Sequence, residues 1–455
     1  MAVGPEMTEM ADYIARASSL ELPVEVEWRV KQHFLDSMAA IVSGSARPAG
    51  KAGLSWLDVA FPGVVGPCSV LGSTKKAPAI AAALANGMSA HADETDDSHA
   101  PSLSHPGSSV APAILAAGQE CGATGAQVLR AYAVGYDIGT RIGRATQSAF
   151  RDRAVGRWSS HSVVGTLCAA AAAGAIYHFD ADEARYLLSY ATQLTSGVTT
   201  WVRDQSHVQK AFVFAGMPAS HAILAASMVR TGCDGVDDPF SGAPNWLQAM
   251  SDAPDPTALT RGLGTSFEVM MATIKKYAVG SPSQAAVEAV VQLLSSSEID
   301  VSEIEAIEVA LPSESAVVVD NRAMPNVNVQ YLVAGTLLDG AFSMRMSQDH
   351  ERLSDPVVQE LMAKIALVPE EEFAHQRAAR VTIELRGHPS ALSRTVRDVR
   401  GTPKNPMTFE ETRTKAEDLV GAVIGGERAT AACDLVAHFE NVEDLGELVA
   451  ILEVA

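Results

Sequence analysis

The amino-acid sequence predicts a mainly α-helical protein with a smaller α+β domain. Apolar residues recur at helical spacing through the first 265 residues, and strictly alternating apolar residues appear only from about residue 305 onward. Alanine is abundant and aromatic residues make up only 5% of the chain, a composition that favours closely packed helices over a β-sandwich. We therefore predict a large helical domain at 1–270, an α+β domain at 271–407, and C-terminal helices at 408–455 that pack back on the first domain.

The helical domain is predicted from its repeats. Between residues 24 and 42 an apolar side chain stands at every fourth position, namely Val26, Val30, Phe34, Met38 and Val42. The same kind of spacing predicts helices at residues 7–17, 77–88, 126–142, 161–176, 181–194 and 220–230, and one that starts at Ser108 or Ser109.

The α+β domain is predicted from alternation. Residues 305–311 and 381–385 alternate as half-buried strands do, and residues 393–399 form a possible partner strand. Residues 329–338 and 355–367 carry helical spacing between these strands. Mixed strands and helices of this kind indicate a separate, smaller domain.

Charge and cysteine content exclude several classes of protein. The chain carries 34 basic and 54 acidic residues, a formal net charge of −20, which argues against nucleic-acid and anionic-membrane binding. Its five cysteines are scattered without CxxC spacing, which is typical of reduced thiols and offers no zinc site. Neither a signal peptide nor a membrane span is predicted. We expect a cytoplasmic protein.

One polar stretch, residues 91–107, lies between two apolar helices. It contains four acidic residues and three histidines: Asp93, Glu94, Asp96, Asp97, His91, His99 and His105. Dense charge between buried helices is costly unless it is paired or used, so this stretch is the first candidate for a functional site. Two alternatives stay open. Asp96, Asp97 and Ser98 could cap helices in a solvated loop, and the histidines and acids could bind a metal.

Further basic residues stand at predicted helix starts and turns. His161 opens the alanine-rich helix, Lys210 precedes an apolar run, and Lys275 lies at the change of domain. Each alone is more often a solvated surface charge. Together with His105 they predict a cationic pocket at the interface of two domains, where ligands commonly bind.

These motifs resemble the MmgE/PrpD family, which includes 2-methylcitrate dehydratase, cis-aconitate decarboxylase and iminodisuccinate epimerase. The resemblance covers nearly the whole chain. Its polar stretch is similar to the family's His-x-x-acid-x-Asp-Asp-Thr run, followed by a His-Pro signature at His105 and Pro106. Other matching segments begin at His161, Lys210, Lys275, Tyr331 and Gly401.

The resemblance implies a homodimer with a helical domain and an α+β lid, no cofactor and no metal, and a small di- or tricarboxylate substrate. It assigns the site to Glu94, Ser98, His105, His161, Lys210, Lys275 and Tyr331. We expect His105 and His161 to act as acid and base, Lys210 and Lys275 to bind carboxylates, Asp96 and Ser98 to help bind the substrate, and Glu94 and Asp96 to orient the histidines.

Loss of water or carbon dioxide from such a substrate builds negative charge that lysines stabilise, while histidine moves the proton. The expected activity is that of a cofactor-free hydro-lyase similar to 2-methylcitrate dehydratase. The alternatives are an epimerase or isomerase, a decarboxylase, a metal-dependent hydrolase that uses the residues of the polar stretch, and a non-catalytic binding protein.

Overall fold

A computed structural model describes residues 3–151, 158–374 and 376–454. The chain divides into two compact units. The first consists of the described residues of Met1–Ala92, Asp96–Ile274 and Thr408–Ala455, and the second of Asp93–Thr95 and Lys275–Met407. The first unit is helical and the second holds the larger sheet, so the predicted fold class is confirmed.

The helices of the first unit surround the alanine-rich helix Ser160–Ile176, nearly all of which is buried. This helix packs against Gly125–Ala145, Gly107–Cys121 and Met217–Arg230. The small residues permit close approach: a Cβ added to Gly139 would lie 2.3 Å from the backbone nitrogen of Cys168. The other helices are Pro5–Ala15, Val24–Ser45, Pro48–Ala60, Ala79–Ala90, Ser148–Arg151, Ala181–Leu194, Val208–Ala211, Trp246–Met250, Phe409–Ile424, Gly426–Ala437 and Gly446–Leu452.

Side-chain caps explain where two of these helices begin. Thr124 and Gln127 form a reciprocal capping box before Gly125–Ala145, and Asp180 and Glu183 form one before Ala181–Leu194. Each box satisfies two backbone N–H groups that a helix start leaves without a partner. The C-terminal helix Phe409–Ile424 packs on Val24–Ser45 and so belongs to the first unit.

The helix predicted at 220–230 begins earlier than expected. Val208–Arg230 is one continuous helix, in which a π-helical turn, Phe212–Gly216, precedes Met217–Arg230. The change of hydrogen-bond pattern just before Pro218 accommodates a residue without a backbone N–H. Within the part of the chain that the structure describes, this helix alone is long and apolar enough to cross a membrane. Its most apolar window is 72% buried inside the fold, as in a core helix.

Two short antiparallel strand pairs complete the first unit. Cys68–Ser69 pairs with Lys76–Ala77, and Ser98–His99 pairs with Ala272–Thr273. In the second pair Ser98 lies opposite Thr273 and His99 opposite Ala272. This pairing fastens the polar stretch to a segment more than 170 residues away in sequence.

The second unit contains a four-stranded sheet in the order Ile365–Pro369, Ile304–Leu311, Ala379–Leu385 and Leu392–Val396. The first two strands are parallel and the other neighbours are antiparallel. The helix Gln284–Ser296 packs on this sheet, and Val329–Asp339 packs on that helix. The remaining helices are Ser313–Val319, Met344–Ser347, His350–Leu353 and Pro356–Met362.

The helix predicted at 355–367 is wrong in its second half. The helix ends at Met362, and Ile365–Pro369 forms an edge strand in which Ile365 lies opposite Ile307. A short apolar run fits either a helix or a strand by periodicity. Pairing with the parallel strand Ile304–Leu311, which is distant in sequence, makes this run a strand rather than a helix.

Candidate active site

The polar stretch is buried throughout its acidic core. Asp96 and Asp97 have no exposed surface and Ser98 is 5% exposed. The alternative of a solvated loop is therefore wrong, although one part of it survives: Asp97 Oδ1 accepts a hydrogen bond from the backbone N–H of Gly107, which begins the helix Gly107–Cys121. Buried carboxylates require partners, and those partners define the site.

Two imidazoles meet at the carboxylate of Asp96. Its Oδ2 lies 2.8 Å from Nδ1 of His91 and 3.2 Å from Nδ1 of His105. The ring centroids of His105 and His161 are 5.1 Å apart. We call His91, Asp96, His105 and His161 the histidine cluster. The structure thus brings together three predicted site residues, Asp96, His105 and His161, and adds His91.

Lys210 lies beside this cluster. Its side chain is 5% exposed, and its Nζ is 5.1 Å from the ring centroid of Phe214 and 5.7 Å from that of Trp201. The backbone N–H of Lys210 donates to Asp204, which fixes the start of the helix that carries it. A buried ammonium near aromatic rings is suited to an anionic partner, because low local polarity strengthens the interaction between charges.

Asp97 anchors the polar stretch to the helical core. Its Oδ2 lies 2.8 Å from Nδ1 of His33 on the helix Val24–Ser45. Burial, together with the charges of nearby Arg29 and Lys415, lowers the pKa of His33 to about 3, so this imidazole is neutral and its Nδ1–H donates to Asp97. Gly107 packs too closely for any side chain, since an added Cβ would lie 2.6 Å from the hydroxyl oxygen of Ser37.

His99 belongs to a different ionic group. Its Nε2 lies 3.2 Å from Oε2 of Glu268, and its Nδ1 lies 2.8 Å from the hydroxyl oxygen of Ser102. Burial would raise the pKa of Glu268, but the contact with His99 and the positive charges of Arg141 and Arg144 outweigh it and lower this pKa to about 2. We call this group the Glu268 network, formed by His99, Glu268, Arg141, Arg144 and Asp137.

Ser98, predicted to bind the substrate, lies in the strand Ser98–His99, between Asp96 of the histidine cluster and His99 of the Glu268 network in sequence. Its backbone pairs with Thr273, and its side chain is almost fully buried. Strand geometry turns neighbouring side chains to opposite faces, so the side chains of Ser98 and His99 lie on opposite sides of the strand.

Glu94 and Lys275 form a buried ion pair in the second unit. Lys275 Nζ lies 3.1 Å from Oε2 of Glu94, and the two side chains are 0% and 2% exposed, respectively. Glu94 also has a φ of 61°, in the left-handed region that non-glycine residues rarely adopt. Such a backbone conformation persists only where surrounding contacts hold it, and it is common at functional sites.

Tyr331 lies in the core of the second unit, on the helix Val329–Asp339. Its side chain has no exposed surface, and its hydroxyl donates to the backbone oxygen of Met346 at 2.8 Å. Burial raises the pKa of Tyr331 to about 12, which keeps the hydroxyl protonated. The hydrogen bond gives Tyr331 a structural role, and its predicted catalytic role stays a prediction.

The acids and histidines of the polar stretch do not all lie at one point. His91, Asp96 and His105 place ligand atoms within 4.8 Å of one another. Asp97 and His99 instead contact His33 and Glu268. In the group of His91, Asp96 and His105, both imidazoles contact the same carboxylate oxygen.

Sequence reasoning named His91 only as a motif and metal candidate, and it did not identify Phe214 or Glu268. The spacing of His91 and Asp96, five residues apart in one stretch, was a visible indication of their contact. Phe214 and Glu268 had no comparable local indication, because their partners stand far away in sequence.

The cluster can hold and move protons. Imidazole is the side chain that most readily gains and loses a proton near neutral pH. A carboxylate at Nδ1 fixes the plane of the ring and stabilises its protonated form. With Lys210 nearby to stabilise negative charge, the arrangement suits proton transfer to or from an anionic substrate.

Comparison with known proteins identifies the family. The MmgE/PrpD N-terminal domain matches residues 8–259, and the MmgE/PrpD C-terminal domain matches residues 277–441. The chain is 26% identical to cis-aconitate decarboxylase-like protein oryM of Aspergillus oryzae over 99% of its own length and 97% of that protein. It is 25% identical to a cis-aconitate decarboxylase of Aspergillus terreus, over 98% of its own length and 95% of that protein. The resemblance seen in the motifs is confirmed, and the chain belongs to the MmgE/PrpD family of enzymes.

Proposed function

We propose that the protein is a cofactor-free lyase for a small di- or tricarboxylate, and that it decarboxylates an unsaturated tricarboxylate of the cis-aconitate type. The arrangement of His105 between Asp96 and His161, with Lys210 close by, carries this proposal. Full-length similarity to cis-aconitate decarboxylases supports the choice of substrate. The motifs alone favoured dehydration. Because of this similarity, we propose decarboxylation as the first activity to test.

The reaction breaks the bond between the departing carboxyl group and the carbon skeleton. The electron pair of that bond stays on the skeleton, and carbon dioxide leaves. We assign Lys210 to stabilising a carboxylate as this charge develops, because a fixed ammonium in a dry site needs little reorganisation. His105 or His161, as an imidazolium, then delivers the proton to carbon.

Asp96 orients and supports the proton donor. Its contact with Nδ1 of His105 leaves the opposite edge of that ring as the one to face a substrate. Lys275 and Tyr331 belong to the second unit, and their part in the reaction rests on the family motifs alone.

A hydro-lyase is the second candidate. Dehydration requires a base that removes a proton and an acid that protonates the leaving hydroxyl group. Two imidazoles 5.1 Å apart, His105 and His161, supply such a pair. An epimerase would use the same proton abstraction without losing a group.

A substrate panel tests these activities. Purified protein is incubated with cis-aconitate, 2-methylcitrate, citrate and iminodisuccinate in deuterated water, and products are followed by proton NMR and by carbon dioxide release. Decarboxylation of cis-aconitate with one solvent deuteron in the product supports the proposal. An alkene formed from a hydroxy acid supports the hydro-lyase, and deuterium exchange alone supports the epimerase. No conversion of any of these acids contradicts the proposal.

The homodimer and the cytoplasmic location expected from the sequence stay predictions.

A further inference from the structure

We propose that Phe214 is a positioning residue for the histidine cluster, a ring that holds the imidazoles of His91 and His161 in fixed planes. This inference rests on the proposed function, because it concerns the geometry of the same proton transfer. It adds a residue that contributes no proton and no charge.

The ring of Phe214 stacks on two imidazoles. The centroid of His161 lies 3.7 Å away with an interplanar angle of 13°, and that of His91 lies 4.2 Å away with an angle of 22°. Two rings at these distances cannot share one face of Phe214 without overlapping, so they cover its opposite faces. Phe214 is thus the middle ring of a stack of three.

The third imidazole of the cluster, that of His105, lies at the side of this stack. The ring of His105 lies 5.2 Å from His91, 5.1 Å from His161 and 5.6 Å from Phe214. A shift of either stacked imidazole would therefore change its distance from His105. Asp96 fixes His91 and His105 at their Nδ1 atoms, whereas Phe214 fixes the plane of His161.

The backbone around Phe214 is held tightly. Phe214 lies in the π turn Phe212–Gly216, and this turn packs on the helix Ala79–Ala90. A Cβ added to Gly87 would lie 2.7 Å from the backbone oxygen of Ala215, and one added to Gly216 would lie 2.7 Å from Met88. Trp201 meets the ring of Phe214 edge-on at 4.6 Å. π turns inside helices occur frequently at functional sites.

Ring orientation matters because proton transfer depends on the alignment of donor and acceptor. Misplacement of about 1 Å can cost roughly 100-fold in rate. An aliphatic side chain at position 214 would fill space without presenting two flat faces. We therefore expect loss of the ring to lower kcat and to leave KM nearly unchanged.

Four variants test this role. Phe214→Leu and Phe214→Met keep an apolar side chain and remove the ring, whereas Phe214→Tyr keeps the ring. Phe212→Leu is the matched control, since Phe212 lies in the same π turn, is 36% exposed and stacks on none of the described rings. Steady-state kinetics use the acid that the wild-type protein converts, and thermal unfolding identifies any variant that fails to fold.

We expect kcat to fall by about 10- to 100-fold in Phe214→Leu and Phe214→Met, with KM changed less than about threefold. Phe214→Tyr and Phe212→Leu should keep kcat within about threefold of wild type. Wild-type kcat in a folded Leu or Met variant overturns the proposal, as does a folded Tyr variant that loses as much as Leu.

Crystal structures of wild type and Phe214→Leu provide a readout that needs no turnover. Rotation of the imidazole of His161 by more than about 30° in the variant supports the proposal, and unchanged imidazole planes overturn it. If the wild-type protein converts none of the acids, the proposed function fails while this structural comparison still decides whether Phe214 holds the rings.

Discussion

The histidine cluster and the Glu268 network use the same types of side chain and complete them differently. In the cluster, the carboxylate of Asp96 faces two imidazoles. In the network, the carboxylate of Glu268 faces one imidazole and two guanidinium groups. Both groups are attached to the same stretch of chain, through Asp96 and His99, which stand three residues apart.

The difference lies in which positive charges can change. An arginine keeps its charge at every pH at which the protein is folded, whereas a histidine gains or loses its charge near neutrality. The Glu268 network is therefore suited to holding backbone segments together, and the histidine cluster to exchanging protons. Contacts of Asp97 and His99 anchor the stretch so that Asp96 and His105 keep their positions.

The largest expected effect is the loss of His105. His105→Ala should lower kcat by roughly 10²- to 10⁴-fold, the usual contribution of one acid or base group. Folding should be retained, because the Glu268 network is unchanged. His388→Ala, at an exposed position, is the control. A near-normal rate in the His105 variant would show that the proton is handled elsewhere, with His161 the next residue to replace.

Breaking the Glu268 network should act on stability instead. Arg141 is fully buried, and its guanidinium donates to Asp137 Oδ1 at 3.0 Å and to the backbone oxygen of Ser266. Arg141→Met leaves buried carboxylates without this charge and should destabilise the fold by about 3–5 kcal/mol. Urea unfolding measures the loss.

Arg130 provides a matched control on the same helix, because its Nη1 donates an exposed hydrogen bond to the backbone oxygen of Ser18. Arg130→Met should change the free energy of unfolding by about 0.5 kcal/mol or less. If the two arginine variants were equally stable, the network would not anchor the fold as argued here.

Much of the fold could be predicted because it follows local patterns. The helix Ala181–Leu194 and the strands Ile304–Leu311 and Ala379–Leu385 each carry a repeat that their own residues reveal. The strand Ile365–Pro369 and the π turn Phe212–Gly216 do not, because a distant partner or a change in hydrogen bonding determines them.

The site shows the same limit. The polar stretch and the histidines were visible as unusual residues in an apolar setting. Adjacent Asp96 and Asp97 look equivalent in sequence, yet one contacts His105 and the other contacts His33. Only the three-dimensional position of each side chain separates the carboxylate of the histidine cluster from the anchoring one.

Acid pH should weaken one anchoring contact before the others. The pKa of His33 is about 3 in the folded protein and near its ordinary value of about 6.5 when unfolded, so the unfolded state binds this proton more readily. The stability that neutral His33 contributes is present above pH 6.5 and is lost as the pH falls from there through 3. Between pH 6.5 and 5 the loss approaches about 1.4 kcal/mol per pH unit.

The contributions of Glu268 and His33 to stability are lost in different pH ranges. The pKa of Glu268 is lowered to about 2, so its contribution is lost only as the pH falls from about 4.5 to 2. His33→Asn retains an N–H donor for Asp97 and removes the titrating ring. Its unfolding free energy, measured in urea from pH 7 to 5, should fall less steeply than that of wild type. Equal slopes would contradict the assignment of a neutral, anchoring His33.

The smallest expected effect is that of a chelator. Nδ1 of His91 lies at hydrogen-bonding distance from Asp96 Oδ2, 2.8 Å, and Nδ1 of His105 lies 3.2 Å from the same oxygen. A nitrogen that binds zinc cannot also donate a hydrogen, so a metal held by Nδ1 of His91 would replace the hydrogen bond of that nitrogen to Asp96. Dialysis against EDTA should leave kcat unchanged, and elemental analysis should find less than about 0.1 metal per chain, well short of the one ion that a structural or catalytic site holds. Stoichiometric metal, with activity lost to the chelator and restored by zinc, would replace the proton-exchanging cluster by a metal centre at the same three residues.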